Sequence, residues 1–353
     1  MTDHALKPVR PSRWKLYLPL AAVVALGVGW SIFWKVAAGM TESGLDDWFA
    51  QERSLGREWT CPNRSVGGYP FRLEVRCAAP SFTGRIGAMV GAGSVGDVLV
   101  AANIYNPSLI LAEVGSPLAF KAQDGSLDLS LAWTQLQASH RIRKGGLDRD
   151  SLEIDGPVLR VAGADRPVFT AKADLFEAHL RPNPDRAPAV SAMDLALRVN
   201  QLEAPALDAL TGASGPLDAV LAATALQTDA ARGGNLAQRL ENWRAAGGEV
   251  EIREAKLAKG EARVEASGAL ELDMAHRLAG RVEFELTGLA PLLQRLGVPA
   301  GNVAIGGLLG GLLGGKAPAP GGARGALRLP LDLNQGHAMI GPIRLPVVLN
   351  PLY

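Results

Sequence analysis

Aromatic residues make up only 5% of the 353-residue chain, cysteine occurs twice, histidine five times, and 36 basic residues nearly cancel 35 acidic ones. Two cysteines cannot knit a disulfide-rich miniprotein. A formal net charge of +1 gives no sign of the basic surface that a nucleic-acid partner requires. Stretches long enough and apolar enough to span are also missing, with a single exception, so the chain does not cross a membrane many times. Apolar residues reach 48% and charged residues only 20%, which excludes a wholly disordered chain. The length allows one large domain or two ordinary ones.

The exception is Leu16 to Trp34, an uncharged run bracketed by Lys15 and Lys35. At about 1.5 Å per residue it spans roughly 28 Å, close to a bilayer's hydrocarbon thickness. Trp14, Tyr17, Trp30, Phe33 and Trp34 gather towards its ends, where amphipathic rings settle at a membrane interface. A cleavable signal peptide is the alternative. It would carry an apolar region of about 7–15 residues and a small-x-small site, whereas Ala37-Ala38-Gly39 here follows a lysine and bulky rings. A retained anchor is therefore expected, marked by Trp14, Lys15, Leu16, Trp34 and Lys35. Lys7, Arg10, Arg13 and Lys15 oppose only Asp3 before the run, while acids outnumber bases over residues 36–60. The basic side stays in the cytoplasm. The expected order is a cytoplasmic tail (1–15), a transmembrane anchor (16–36) and an exported β-rich domain (37–353). In a double-membrane bacterium the exported part is periplasmic and the anchor sits in the inner membrane.

Cys61 and Cys77 both fall in the exported part. A disulfide in an oxidising compartment would contribute about 3 kcal/mol in the loop-entropy model. Metal binding is the other reading, but no histidine lies near and the spacing fits no zinc pattern. The pair is expected to tie the start of the domain to its first strand.

Beyond the anchor, period-two alternation dominates. Tyr69, Phe71, Leu73, Val75 and Cys77 form one apolar set, and Val98, Val100, Ala102 and Ile104 another. Further sets are Leu127–Trp133, Met193–Val199, Val282–Leu286 and Leu327–Leu333, with weaker ones at 152–154, 250–252 and 270–274. One apolar and one polar face per strand is the mark of antiparallel sheet. Helical patterns are short: Leu45, Trp48 and Phe49 behind a Ser43–Asp46 capping box, Pro205 to Leu210, Asn235 to Gly247, and Pro291 to Gly297. Residues 299–325 form a Gly/Leu/Pro-rich insert that reads as a loop within the sheet, or as an apolar flap. The expected fold is mainly β: an elongated, curved antiparallel sheet of roughly 15 strands about 4.8 Å apart, with a few short helices and one N-terminal transmembrane helix.

No chemistry-bearing motif survives its context. Gly91-Ala-Gly93-Ser-Val-Gly96 matches the dinucleotide glycine pattern, and Ala92 to Gly96 echoes a nucleophile elbow around Ser94. Both need a following helix, and Asp97-Val-Leu-Val reads as strand, leaving the glycines to a loop between strands. His4, His140, His179, His276 and His337 show no metal-ligand spacing. His276 reads as a hairpin turn. Arg141, Arg143 and Lys144 make only a small basic turn. Catalytic, metal and cofactor residues are therefore expected to be none.

Trp59-Thr-Cys61-Pro, Gly67-Gly-Tyr-Pro-Phe-Arg-Leu73, Cys77, Tyr105-Asn-Pro107, Gly115-Ser-Pro117 and the closing Ile340-Gly-Pro-Ile343 resemble the bacterial family of domain of unknown function 2125. More broadly, an anchor followed by alternating strands looks like the AsmA/TamB/YdbH-like envelope proteins. That resemblance implies a groove or half-barrel with an apolar inner face and a link to phospholipid movement between membranes. It carries over no activity residue by residue.

Two functions are compatible with these patterns. One is a non-enzymatic, membrane-anchored β-groove that binds or transfers lipid, with Leu129, Leu131, Leu195, Leu197, Phe284, Leu329 and Leu331 as candidate groove residues. The other is an envelope scaffold or assembly factor with a dry packed core and protein partners. Alternation does not separate them, because both bury one face.

Overall fold

The computed structural model describes residues 14–87, 89–144, 146–164, 166–187, 190–211, 214–288 and 327–353. The basic tail at 1–13, the helix expected at Pro291 and the insert at 299–325 lie outside these residues. Helix α1 (Trp14–Ser54) leads into β1 (Arg57–Thr60), β2 (Ser65–Gly67), β3 (Arg72–Cys77), β4 (Ser81–Ile86), β5 (Met89–Ser94), β6 (Val98–Asn103) and β7 (Asn106–Val114). Next come β8 (Leu118–Ala122), β9 (Asp128–Ala132), β10 (Gln135–Arg143), β11 (Gly146–Asp155), β12 (Val158–Gly163), β13 (Arg166–Lys172) and β14 (Leu175–Pro182). The rest is β15 (Met193–Leu202), α2 (Pro205–Thr211), β16 (Leu217–Ala225), α3 (Leu236–Ala245), β17 (Glu249–Lys259), β18 (Ala262–Leu272), β19 (Leu278–Thr287), β20 (Leu327–Asn334), β21 (His337–Ile340) and β22 (Ile343–Val348).

The strands form two antiparallel sheets instead of one. The shorter runs β1-β4-β5-β8-β9-β12-β13, and the longer, of 15 strands, runs β2-β3-β6-β7-β10-β11-β14 and then in sequence to β22. Neither order returns to its own start, so neither sheet closes into a barrel. The chain visits the sheets alternately, and β3/β4, β6/β5, β7/β8, β10/β9, β11/β12 and β14/β13 stand in the same neighbour order in each. Each of these pairs is separated by two or three residues. They are strands that run from one sheet into the other across a common seam.

The seam explains the prolines and glycines of its connections. Pro80, Pro117 and Pro157 lie there, and a residue without an N–H interrupts a ladder at no cost only where the ladder already breaks. Backbone bonds still cross from strand to strand: Val95 N–H to Pro80 O (3.1 Å), Gly96 N–H to Gly115 O (3.1 Å), Thr134 N–H to Asp155 O (2.9 Å) and Gly156 N–H to Asp174 O (2.8 Å). Side chains supply the remainder. Asp97 accepts from the Ala79 amide at 3.0 Å, and Ser116 accepts from the Trp133 amide at 3.0 Å. The Trp133 indole, itself buried, donates to Val114 O at 2.8 Å. Cys61 and Cys77 are disulfide-bonded with Cα atoms 5.3 Å apart. They close the first step of the seam, where the Ala78 amide also donates to Pro62 O at 3.1 Å.

Several elements differ from the sequence-based expectation. The Gly91–Ser94 stretch is not a loop but part of β5, paired on both sides. Its glycines let the Phe120 ring of β8 lie across the strand, since a Cβ at Gly91 would stand 2.6 Å from that ring. Ser43 and Asp46 cap nothing, because α1 runs through them without a break. Asp46 instead pairs with Arg64 at 2.6 Å. The Asn235 helix forms as expected with a full capping box to Gln238, and Pro205 opens α2.

Three of the four edge strands, β1, β2 and β13, are met by the rest of the chain. Helix α1 packs along β1 and β2, with Trp48 against Trp59 at 5.8 Å and Trp59 against buried Phe82 at 4.8 Å. Beside β13, Lys172 and Glu203 exchange backbone bonds of 2.9 and 2.7 Å, and α2 follows directly. Unpaired strand edges invite aggregation, and these contacts remove three of them.

The C-terminal tail docks at the far end of the long sheet. Leu352 N–H donates to His276 O at 2.9 Å, the Tyr353 ring stacks on His276 at 4.4 Å, and its hydroxyl donates to Glu241 at 2.9 Å. Arg244, then Tyr353, hold the Glu241 carboxyl down at about 2. A lowered folded-state pKa stabilises above the unfolded value and is lost as pH falls through the folded one. The protection factor of the Leu352 amide, its exchange rate relative to an unfolded amide at the same pH, should thus hold above about pH 5 and fall only as the pH approaches about 2. Glu241→Gln should remove that dependence. At the seam, a Cβ on Gly115 would lie 2.8 Å from the Asp97 nitrogen. Gly115→Ala should lower stability by about 1–3 kcal/mol, whereas Gly44→Ala, with nothing near, should not lower the urea midpoint.

Candidate functional site

The pairing register converts the alternation of single strands into rows that run across the long sheet. Residues directly opposite one another share a face. From β2 to β11 one row reads Val66, Val75, Val100, Ala112, Ala138 and Leu152. From β14 to β20 it continues as Ala178, Leu197, Leu221, Ala255, Ala266, Phe284 and Leu329. No polar side chain interrupts it over thirteen strands. At about 4.8 Å per strand the row is roughly 58 Å long. Every one of these side chains is half-buried, neither sealed in a core nor fully exposed.

A parallel row lies two residues along. It includes Leu73, Ala102 and Ile110 at one end and Leu180, Leu195, Ala223, Ile252, Val282 and Leu331 at the other. Between Ile110 and Leu180 it is broken by His140 and Asp150, which face each other on β10 and β11. The imidazole Nδ1 and the carboxylate stand 2.5 Å apart. They border a depression of about 370 Å³ whose other walls include Ala112, Leu152, Leu180 and Leu195.

The opposite face of the sheet is charged. Arg198 meets Glu177 at 3.3 Å and Arg328 meets Glu285 at 3.0 Å across neighbouring strands. Asp194 is buried there. It accepts from Thr224 (2.9 Å), Asn183 (2.7 Å) and Arg181 (3.3 Å). Burial alone would raise its pKa. The bonds from Thr224 and Asn183 and the nearby Arg253 and Arg181 outweigh burial and hold the carboxyl below its ordinary range. Its partners satisfy it, which is the condition for keeping a buried charge.

Residues 34–347 match the family described as an uncharacterized protein conserved in bacteria (DUF2125). The chain belongs to this family. The match opens at Trp34, so it takes in α1 from that residue on and nearly all of both sheets of this DUF2125 chain. No curated protein and no solved structure matches, and nothing in these comparisons shows the AsmA-like resemblance.

The residues expected to form the groove divide between the sheets. Leu197, Phe284 and Leu329 lie on the uninterrupted row, and Leu195 and Leu331 on the second. Leu129 and Leu131 belong to β9 of the shorter sheet, in line with Phe120 and Val161 and with Leu118 and Leu159 respectively. All seven are half-buried. Among the anchor residues, Trp34 donates its indole N–H to Arg72 O at 2.8 Å. Trp14, Lys15, Leu16 and Lys35 lie in α1, which is long and apolar enough to cross a membrane. Arg141 and Arg143 lie on β10 and Lys144 in the turn after it. No group of three His, Cys, Asp or Glu suited to a metal occurs among the described residues.

The sequence reading missed the His140–Asp150 pair. Ten residues separate the two, and only the β10–β11 register brings them together. The signal available was a histidine and an aspartate at apolar-phase positions of adjacent alternating segments. Both side chains are more than a third exposed, so the pair adds little to stability, about 0–1 kcal/mol. Replacing both (His140→Leu with Asp150→Leu) should leave the unfolding free energy from urea titration within about 1 kcal/mol of the parent. A larger loss would show that the pair holds β10 to β11.

Proposed function

We propose that the protein binds lipid in a non-enzymatic role. It is held in the cytoplasmic membrane by α1, with its sheets outside the cytoplasm, and the apolar face of the long sheet is the track that takes acyl chains. The observation that carries this reading is the uninterrupted row from Val66 to Leu329, half-buried along its whole length. A dry scaffold core would seal such side chains. Among the described residues, eight of the fourteen buried apolar ones are alanines, and none of the six larger ones, Phe82, Ile104, Trp133, Ile154, Leu272 and Val282, stands on this row. Exposed apolar faces of this extent are liabilities unless something covers them. An acyl chain gains about 0.8 kcal/mol for each CH₂ it buries, so a few contiguous half-covered positions hold one. The charged opposite face stays in water. Passage of phospholipid along the row, between membranes of the envelope, is the extension of this reading to transfer.

Purified full-length protein should carry phospholipid detectable by mass spectrometry of its organic extract. Leu197→Asp, in the centre of the row, should reduce that lipid at least about tenfold, the equivalent of about 1.4 kcal/mol. Leu111→Asp, exposed and pairing with Ala101 and Ser139 on the charged face, should not. Lipid-free protein, or equal loss in both variants, would remove the reading.

A further inference from the structure

We propose that the β2–β3 and β6–β7 hairpin tips form an aromatic foot in the headgroup layer of the membrane that α1 crosses, placing the first strands of the apolar row against the leaflet. The inference rests on α1 as the anchor and deepens the lipid reading by naming where lipid enters.

Level along the helix is the first argument. A span takes about 20 residues, so one that begins near Trp14 ends near Phe33. At this height α1 grips the β2–β3 tip. Trp30 donates to Pro70 O at 2.8 Å, Trp34 donates to Arg72 O at 2.8 Å, and the Ser31 and Tyr69 hydroxyls are 2.9 Å apart. The tip cannot stand far from the plane where the helix leaves the hydrocarbon.

Composition is the second argument. In a chain poor in aromatic residues, Tyr69 (56% exposed), Phe71 (59%) and Tyr105 (68%) project at these two tips, with Phe33 (50%) beside them on α1. Rings exposed together at an interface are where bilayers collect them. The tips move as one body, because buried Ile104 donates its amide to Phe71 O at 3.0 Å. The Arg72 guanidinium, paired with Glu74 at 3.1 Å and 62% exposed, leaves donors free for a phosphate at this level.

Continuity is the third. Two residues behind Phe71 lies Leu73, which stands opposite Ala102 and through it Ile110. The apolar face therefore starts directly at the foot. A chain leaving the leaflet beside Phe71 and Tyr105 meets apolar surface without crossing a polar strip.

The full-length chain labelled at one introduced cysteine, in vesicles of phosphatidylethanolamine and phosphatidylglycerol, tests this. Cys61 and Cys77 are paired, so the new thiol alone takes an environment-sensitive fluorophore. Labels at Phe71→Cys and Tyr105→Cys should show blue-shifted emission and quenching by lipids spin-labelled near the glycerol. A label at Val168→Cys, equally exposed on β13, should do neither. Emission at 71 and 105 matching that at 168 would overturn the foot. A label at Val23→Cys reports the anchor separately, and its failure to be quenched by lipids spin-labelled deep in the acyl chain would remove the anchor and the foot together. If the wild type carries no lipid, the lipid reading falls while the labels at 71 and 105 still decide whether the tips touch the membrane. Phe71→Asp with Tyr105→Asp should keep the protein in the membrane fraction yet lose its copurifying phospholipid. Unchanged lipid in that variant would overturn the tips as the point of entry.

Discussion

The backbone hydrogen bonds that cross the seam are the constraint on which the architecture depends. A strand that simply ended at residue 77, 94 or 114 would leave buried amides and carbonyls without partners, a cost of about 1–3 kcal/mol each. Each strand instead passes on into the second sheet. Gly96 and Gly115 lie close enough to bond backbone to backbone, Asp97 and Ser116 cover amides that the ladder cannot, and Trp133 fills the space between. The disulfide secures the first step, where β1 and β2 are too short to hold by pairing alone. With the seam intact, both sheets keep the same strand order, and the register of one limits the register of the other.

From that register comes the separation of faces. Rows of valine, leucine and alanine line one side of the long sheet because opposite residues share a face and no bulge shifts the row to the other side. The bulges next to Ala223 and between Ile252 and Ala255 are absorbed within β16 and β17. Charges collect on the other side, where Arg198 meets Glu177 and Arg328 meets Glu285 across neighbouring strands. Like charges directly opposite push strands apart, and these arginines offset the facing pairs Glu153–Glu177 and Glu265–Glu285. His140 and Asp150 interrupt the second row on the apolar side, a charge-capable pair that contributes little to stability.

Helix α1 joins the two physical environments. Its first part exposes apolar side chains on all sides, and its later part spends Trp30, Trp34, Trp48 and Glu52 on the sheet edges. Arg57 bonds Glu52 at 2.6 Å and holds that carboxyl below its usual range, which fixes the helix end against β1. One element thus combines a stretch long and apolar enough to cross a membrane with the cover of two edge strands.

How much was legible in the sequence follows from the range of each interaction. Alternation along Met193–Val199 or Val282–Leu286 is local, so the antiparallel class, the two-faced strands, the long apolar helix and the Asn235 cap could all be read from residues near in sequence. The cysteine pair was legible because so few partners existed. The seam was not. Gly91–Ser94 looked like a loop because the Phe120 ring that makes it a strand arrives from β8, and Leu129 looked like a neighbour of Leu197 because period two does not tell which sheet a strand joins. His140 and Asp150 met for the same reason, through register alone. By itself the sequence determined which side chains share a face within each strand and where the chain can cross a bilayer, since both depend on spacing along one segment. Only the tertiary structure decided which residues stand opposite one another across strands. Pairing is settled by hydrogen bonds between segments far apart in the chain, and those bonds made thirteen separate patterns into one continuous apolar row.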